Sequence, residues 1–96
     1  MLEELTVRTT DKAVLKPLLE SAINHERDML MFGLRRTRER LAEFEQRFGM
    51  TSEEFERRLN AAQLEETVEF TDWRLEIGML RLLENQYQAL RDARLD

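Results

Sequence analysis

Between Leu30 and Phe48 apolar or β-branched side chains recur at alternating steps of four and three: Leu30, Leu34, Thr37, Leu41, Phe44 and Phe48. This is the heptad seam of a helix lying along another helix. Upstream, Val14, Leu15, Leu18, Leu19, Ala22 and Ile23 hold helical spacing behind two competent N-caps, Thr10 and Asp11. The pattern predicts one long helix over 11–48, on the order of 45 Å from Leu18 at 1.5 Å per residue. Pro17 must sit in its first turn or mark a kink, because it has no N–H for the carbonyl four residues back. In "RFGMTSEEFERRL" the chain stops and restarts: Gly49 supplies a left-handed closing residue, and Thr51 with Glu54 forms a capping-box signature. A short helix over 51–61 carries Phe55 and Leu59 and weakens at Asn60. A returning helix over 66–94, opening at Glu66 or Thr71, carries Val68, Phe70, Trp73, Ile77, Leu80, Leu83, Tyr87 and Leu90. The break is therefore a corner, and the chain reads as one all-α domain, an αα-hairpin with a short corner helix.

Residues 1–10 follow another rule. In "LEELTVRTT" Leu5, Val7 and Thr9 alternate with Thr6, Arg8 and Thr10, which predicts a strand-like arm. A lone strand leaves a row of N–H and C=O groups without partners, so it calls for a copy of itself or the sheet edge of another protein. The alternative is a frayed terminus.

Two stretches have more apolar surface than a single partner helix covers. In "MLMFGL", Met29 to Leu34, apolar or glycine positions advance by about 100° each and encircle the helix. "LEIGMLRLL" does the same with Leu75, Ile77, Met79, Leu80, Leu82 and Leu83. Each residue left in water forgoes roughly 1.5–3 kcal/mol of burial, so the expected remedy is self-association into a four-helix bundle, a homodimer or higher oligomer. The residues assigned to it are Met29, Leu30, Phe32, Leu34, Ile77, Leu80 and Leu83. Gly33 and Gly78 fall inside these stretches, either for close helix approach or as tolerated weaknesses of ~1 kcal/mol. Met29, Met31 and Met79 read as core filling before an adaptable recognition surface.

Composition narrows the function. The 96 residues are 42% hydrophobic and 36% charged, with a formal charge of −5 and a pI near 5.0, which disfavours a general grip on nucleic acid. No apolar run approaches the roughly 20 residues of a membrane span, "MLEELTVR" has acids where a leader needs bases, and there is no cysteine. The expected setting is the cytoplasm, away from membranes. Arg35, Arg36, Arg38 and Arg40 crowd one stretch, and Glu65, Glu66, Glu69, Asp72 and Glu76 another. These are expected to pair across the hairpin as solvated faces, each pair contributing ~0–1 kcal/mol.

Candidate chemistry is sparse. His25, the single histidine, has Ser21 and Met29 as its neighbours four residues away, and Glu26 points about 100° aside, so no metal-ligand spacing arises. No phosphate loop, cysteine nucleophile or triad context is present. Trp73 and Tyr87 are read as core or interface anchors before a nucleotide stack. The expectation is a non-enzymatic binding protein with no catalytic residue, metal or cofactor.

A resemblance sharpens this. With a β-like N-terminus, "LLESAINHE", "GLRRTRERLAEFEQRFGMTSEEF" and "LEETVEFTDW", the chain resembles a group of short bacterial proteins frequent in cyanobacteria. They look like the antitoxin half of type II toxin–antitoxin pairs, encoded beside a small TumE-like toxin. The likeness runs from Leu5 to about Leu90 and draws attention to Phe44, Phe48, Met50, Thr51, Phe55, Leu64, Glu65, Phe70, Asp72 and Trp73. Relatives often carry an acidic or amide step before the Leu-Glu pair, where this chain has "NAAQ" at Asn60 to Gln63. The resemblance implies neutralisation of a basic, RNA-cleaving toxin by direct binding, with an acidic stretch presenting the charge that RNA would present. The expected partner-binding residues are Leu5, Val7, Leu64, Glu65, Glu66, Glu69, Phe70, Asp72 and Trp73. Two other classes stay open. One is a DNA-binding autoregulator that inserts the Thr6, Arg8 and Thr10 face of a paired ribbon into the major groove. The other is a self-associating structural module with no client.

Overall fold

The computed structural model describes residues 2–95, with three helices in the order α1 (Lys12–Phe48), α2 (Ser52–Asn60) and α3 (Val68–Asp92). α1 begins where the Asp11 side chain accepts a hydrogen bond from Val14 N at 3.2 Å, which satisfies one of the N–H groups that a first turn leaves open. Pro17 lies in the second turn of α1, beyond the expected first turn, and the helix continues through it. The Ala13 carbonyl that loses its donor belongs to an exposed residue, open to water.

The corner forms from local chemistry. Gly49 takes φ 66° and donates its N–H to Glu45 O at 2.9 Å, closing α1. Thr51 Oγ1 accepts from Glu54 N at 3.1 Å and opens α2. The reciprocal half of the capping box is not made, because the Glu54 carboxylate turns instead to Arg57 and Arg58. Ser52 N donates to Glu45 Oε2 at 2.6 Å and ties the new helix to the old one. At the far end of α2, Gln63 N–H donates to Arg58 O and Ala62 N–H to Leu59 O, the crossed pair of a Schellman closure. Its left-handed position is occupied by Ala62 at φ 58°, where a Cβ costs about 1–2 kcal/mol. The strain falls within "NAAQ". Thr67, one residue beyond the expected start at Glu66, then accepts from Phe70 N at 3.0 Å and opens α3.

α3 returns antiparallel along α1. Arg47–Glu69 (2.9 Å), Arg40–Glu76 (3.1 Å) and the approach of Leu83 to Gly33 fall in one register. Each step forward on α1 is matched by one backward on α3, which brings Asp92 level with Asn24 and leaves Lys12–Ile23 projecting about 18 Å past the hairpin. The molecule measures 58 × 25 × 19 Å with a radius of gyration of 18.7 Å, against roughly 12–13 Å for a compact chain of this length.

The core sits at the corner end. Leu41, Phe55, Trp73 and Ile77 are buried, with Phe44, Phe48, Met50, Leu59, Leu64, Phe70 and Leu80 packed around them. Two rings lie nearly parallel to Trp73, Phe55 at 3.9 Å and Phe44 at 5.5 Å between centroids, while Phe48 and Phe70 meet edge to face at 5.1 Å. Its indole N–H donates to Ser52 Oγ at 3.0 Å, so burying the ring leaves no unpaired donor. All three helices meet on this one side chain.

The expected strand does not form within the single chain. Residues 2–9 are neither helix nor strand and all are exposed, and no second strand among the described residues offers a ladder of hydrogen bonds. The shown architecture is the all-α hairpin with its corner helix.

Two stability outcomes follow. Phe55→Ala removes the ring stacked on Trp73 and should lower the unfolding free energy by about 3–5 kcal/mol; a urea midpoint unchanged from the parent would refute the central role of this stack. Ala62→Gly relieves the left-handed Cβ and should raise stability by about 1 kcal/mol, read from the same urea curves.

Candidate interaction surface

A helix hairpin buries one stripe of each helix, and what remains outside is informative here. The described chain exposes 8002 Å² in total, against on the order of 5,800 Å² for a compact monomer of 11.5 kDa. The projecting half of α1 and the arm contribute to this excess. So do large apolar side chains on both long helices.

The residues assigned to self-association divide. Leu30, Leu34 and Ile77 are buried inside the hairpin, at 6%, 4% and 6% exposure. Leu80 and Leu83 are half-buried, Leu80 against the core and Leu83 toward Gly33. These five serve packing inside the hairpin, Leu30 and Leu34 from α1 and Ile77, Leu80 and Leu83 from α3, whose rotation Trp73 fixes. Met29 and Phe32 do face outward, Phe32 at 55% with the Arg35 guanidinium 5.7 Å above its ring. Of five phenylalanines it alone lies outside the aromatic core, on an open groove with Met31, Arg35 and Tyr87.

On α3 the outward stripe consists of Leu75 (66% exposed), Met79 (46%) and Leu82 (50%), with Gly78 among them. A Cβ on Gly78 would meet no atom within 4 Å, whereas one on Gly33 would touch Leu83 at 3.4 Å. Close approach inside the hairpin therefore accounts for Gly33 and not for Gly78. The spacing 75, 79, 82 was the signal available in the sequence, but an apolar all-round stretch conceals which of its stripes faces out.

The partner-binding set is likewise split. Leu5 and Val7 are exposed, and so are Glu65, Glu66 and Asp72. Leu64 and Phe70 are half-buried against the core, and Trp73 is fully buried, so the core reading of Trp73 holds and it presents nothing to a partner. Val68, one of the apolar positions of the returning helix, is 79% exposed. Together with Glu66, Thr67, Thr71 and Asp72 it lines a shallow depression where the α2–α3 connection enters α3.

The charges pair across the hairpin only in part, with Arg40–Glu76 the single ion pair between the two charged stretches among the described residues. Arg40 meets Glu76, Arg47 meets Glu69, and Arg38 lies 3.9 Å from Glu84. Glu69 Oε2 sits 2.9 Å from Arg47 but off the N–H direction, an ion pair without a hydrogen bond. Arg81 grips Glu56 with two N–H groups and ties α3 to α2. Glu66 has Arg74 at a loose 3.7 Å, and Glu65 and Asp72 form no ion pair among the described residues. The corner thus keeps a net acidic rim. His25 is exposed, and no group of three or more His, Asp or Glu side chains among the described residues is placed to share a metal ion. Among the described residues no helix is long and apolar enough to cross a membrane. No protein-family model matches the chain, and neither a curated protein nor a solved structure is found similar to it.

One titration is marked. Hydrogen bonds from Arg57 and Arg58 hold the Glu54 carboxyl at about 2, below the ordinary 4.5. A lowered folded-state value means that the contribution is complete above about pH 4.5 and is lost as pH falls toward 2. Glu54→Gln should therefore lose less stability than the parent across that window, in thermal melts followed by circular dichroism. A carboxyl resonance of Glu54 titrating at the ordinary value would contradict the bidentate geometry.

Proposed function

We propose that this chain is a non-enzymatic protein-binding module, an antitoxin that works in the cytoplasm and neutralises a basic cognate toxin by direct contact, and that it does so as a self-associated assembly. The observation that carries the reading is the corner depression, where the exposed Val68 is flanked by Glu66 and Asp72 with Glu65 beside them. An apolar anchor point with a carboxylate rim suits a cationic partner: the rim steers encounter and excludes wrong partners, and the apolar contact slows release. The arm adds a second mode of capture. Leu5 at 98% exposure and Val7 at 63% stand on the alternating segment, and its open N–H and C=O groups can complete a partner's sheet edge as an added strand. The excess of exposed apolar surface favours company over a solitary structural role.

Co-expression with the product of the adjacent reading frame tests the reading, since the two should purify as one complex. Changing Glu65 and Glu66 to Gln and Asp72 to Asn, with Glu69 left intact on Arg47, should weaken that complex at least tenfold and flatten its salt dependence. Equal affinity after neutralisation would show that the acidic rim does not select the partner. A shift of labelled promoter DNA by the chain alone would favour the ribbon-type autoregulator instead.

A further inference from the structure

We propose that the outer stripe of α3 is the self-association surface, and that its occupant is the same stripe of a second copy running antiparallel, with the two-fold axis between Gly78 and Met79. This deepens the self-association part of the reading above, and rests on it, by naming the surface and the orientation.

Three sides of α3 have distinct uses. Glu69, Glu76 and Leu83 turn toward α1, while Trp73 and Arg81 reach α2 through Ser52 and Glu56. Leu75, Gly78, Met79 and Leu82 occupy the side away from both, where neither helix obstructs an approaching one. Their 3-and-4 spacing repeats the α1 seam that already engages a helix within the chain.

The occupant follows from the order of these residues. Leu75 stands three residues before Gly78 and Leu82 three after Met79; Thr71 stands seven before and Gln86 seven after. Reversing the stripe about the Gly78–Met79 bond therefore sets leucine against leucine, glycine against methionine, and polar against polar. An isologous dimer requires such self-complementarity, since one patch must serve as both halves of the contact. A foreign partner imposes no such symmetry. Gly78, with open space where its Cβ would be, receives the long Met79 side chain of the copy and permits close approach of the backbones. The stripe is open to a second helix, with Leu75, Met79 and Leu82 all exposed in the single chain.

The chain has no cysteine, so introduced thiols report cleanly. The parent should sediment at twice the 11.5 kDa chain mass, and Leu75→Glu with Leu82→Glu should halve that mass while keeping parental helicity, because both side chains already face solvent in the single chain. A short thiol cross-linker should join chains carrying Thr71→Cys with Gln86→Cys and fail with Thr71→Cys alone, whose thiols lie about 22 Å apart in the antiparallel register. Cross-linking of Thr71→Cys alone would mean a parallel pair and overturn the orientation. A charged double variant that stays dimeric would move the interface elsewhere and leave self-association standing. A monomeric parent would overturn self-association and this surface together, while the toxin-capture test remains separately readable.

Discussion

The contact on which this architecture depends is the indole of Trp73, stacked with Phe55 and Phe44 and hydrogen-bonded to Ser52. Two long helices alone would meet along a single stripe and could slide or rotate about it with little penalty. A large ring stacked with rings from both other helices, with its N–H on the first residue of the corner helix, removes both freedoms. Phe55 comes from α2, Phe44 and Phe48 from α1, and Phe70 and Trp73 from α3, so the stack is also the point where three separate sequence segments must agree. This is why the core lies at one end of a 58 Å molecule and thins out toward the other.

The charge pattern follows from that placement. Once Trp73 sets the rotation of α3, Glu69 and Glu76 fall beside Arg47 and Arg40. Most of these pairs are open to solvent and each contributes only ~0–1 kcal/mol. Their role is selective: a register slipped by one turn would set Glu69 level with Glu43 or Thr51 in place of Arg47. The acids left over are those at the start of α3, where they also favour the positive end of its macrodipole, and a negative charge there is consistent both with helix initiation and with capture of a cation.

Much of the fold was legible because helix ends are local. Gly49, Thr51 and Asp11 close or open helices through bonds spanning three or four residues, and a sequence displays such spacing directly. Thr67 is hidden as a cap because Glu66 and Thr71 compete with it on either side, and only the phase set by Phe70 decides among them. The strand was not realised in the single chain because a ladder needs a partner that one sequence cannot supply. Which residues of "LEIGMLRLL" turn inward is hidden for a different reason: nearly every direction there is apolar, so periodicity carries no phase. Trp73, two residues before this stretch, supplies the phase, and it turns Ile77, Leu80 and Leu83 inward and Leu75, Met79 and Leu82 outward.

The two regions assigned to a partner lie at opposite ends of the chain. The acidic corner is at the start of α3, and the arm leaves the projecting end of α1 beyond the last turn of α3. Within one copy the two are separated by most of the 58 Å length, too far for one small protein to engage both. In an antiparallel pair built on the outer stripe of α3, the start of one helix would lie level with the end of the other, with Val68 and Thr71 of one chain against Ala89 and Gln86 of its mate. The projecting α1 of that mate lies on the far side of its own α3, because the stripe faces away from α1. Arm and corner therefore remain separate contact regions even in the pair, and the pairing of two copies and the capture of a partner draw on different parts of the chain.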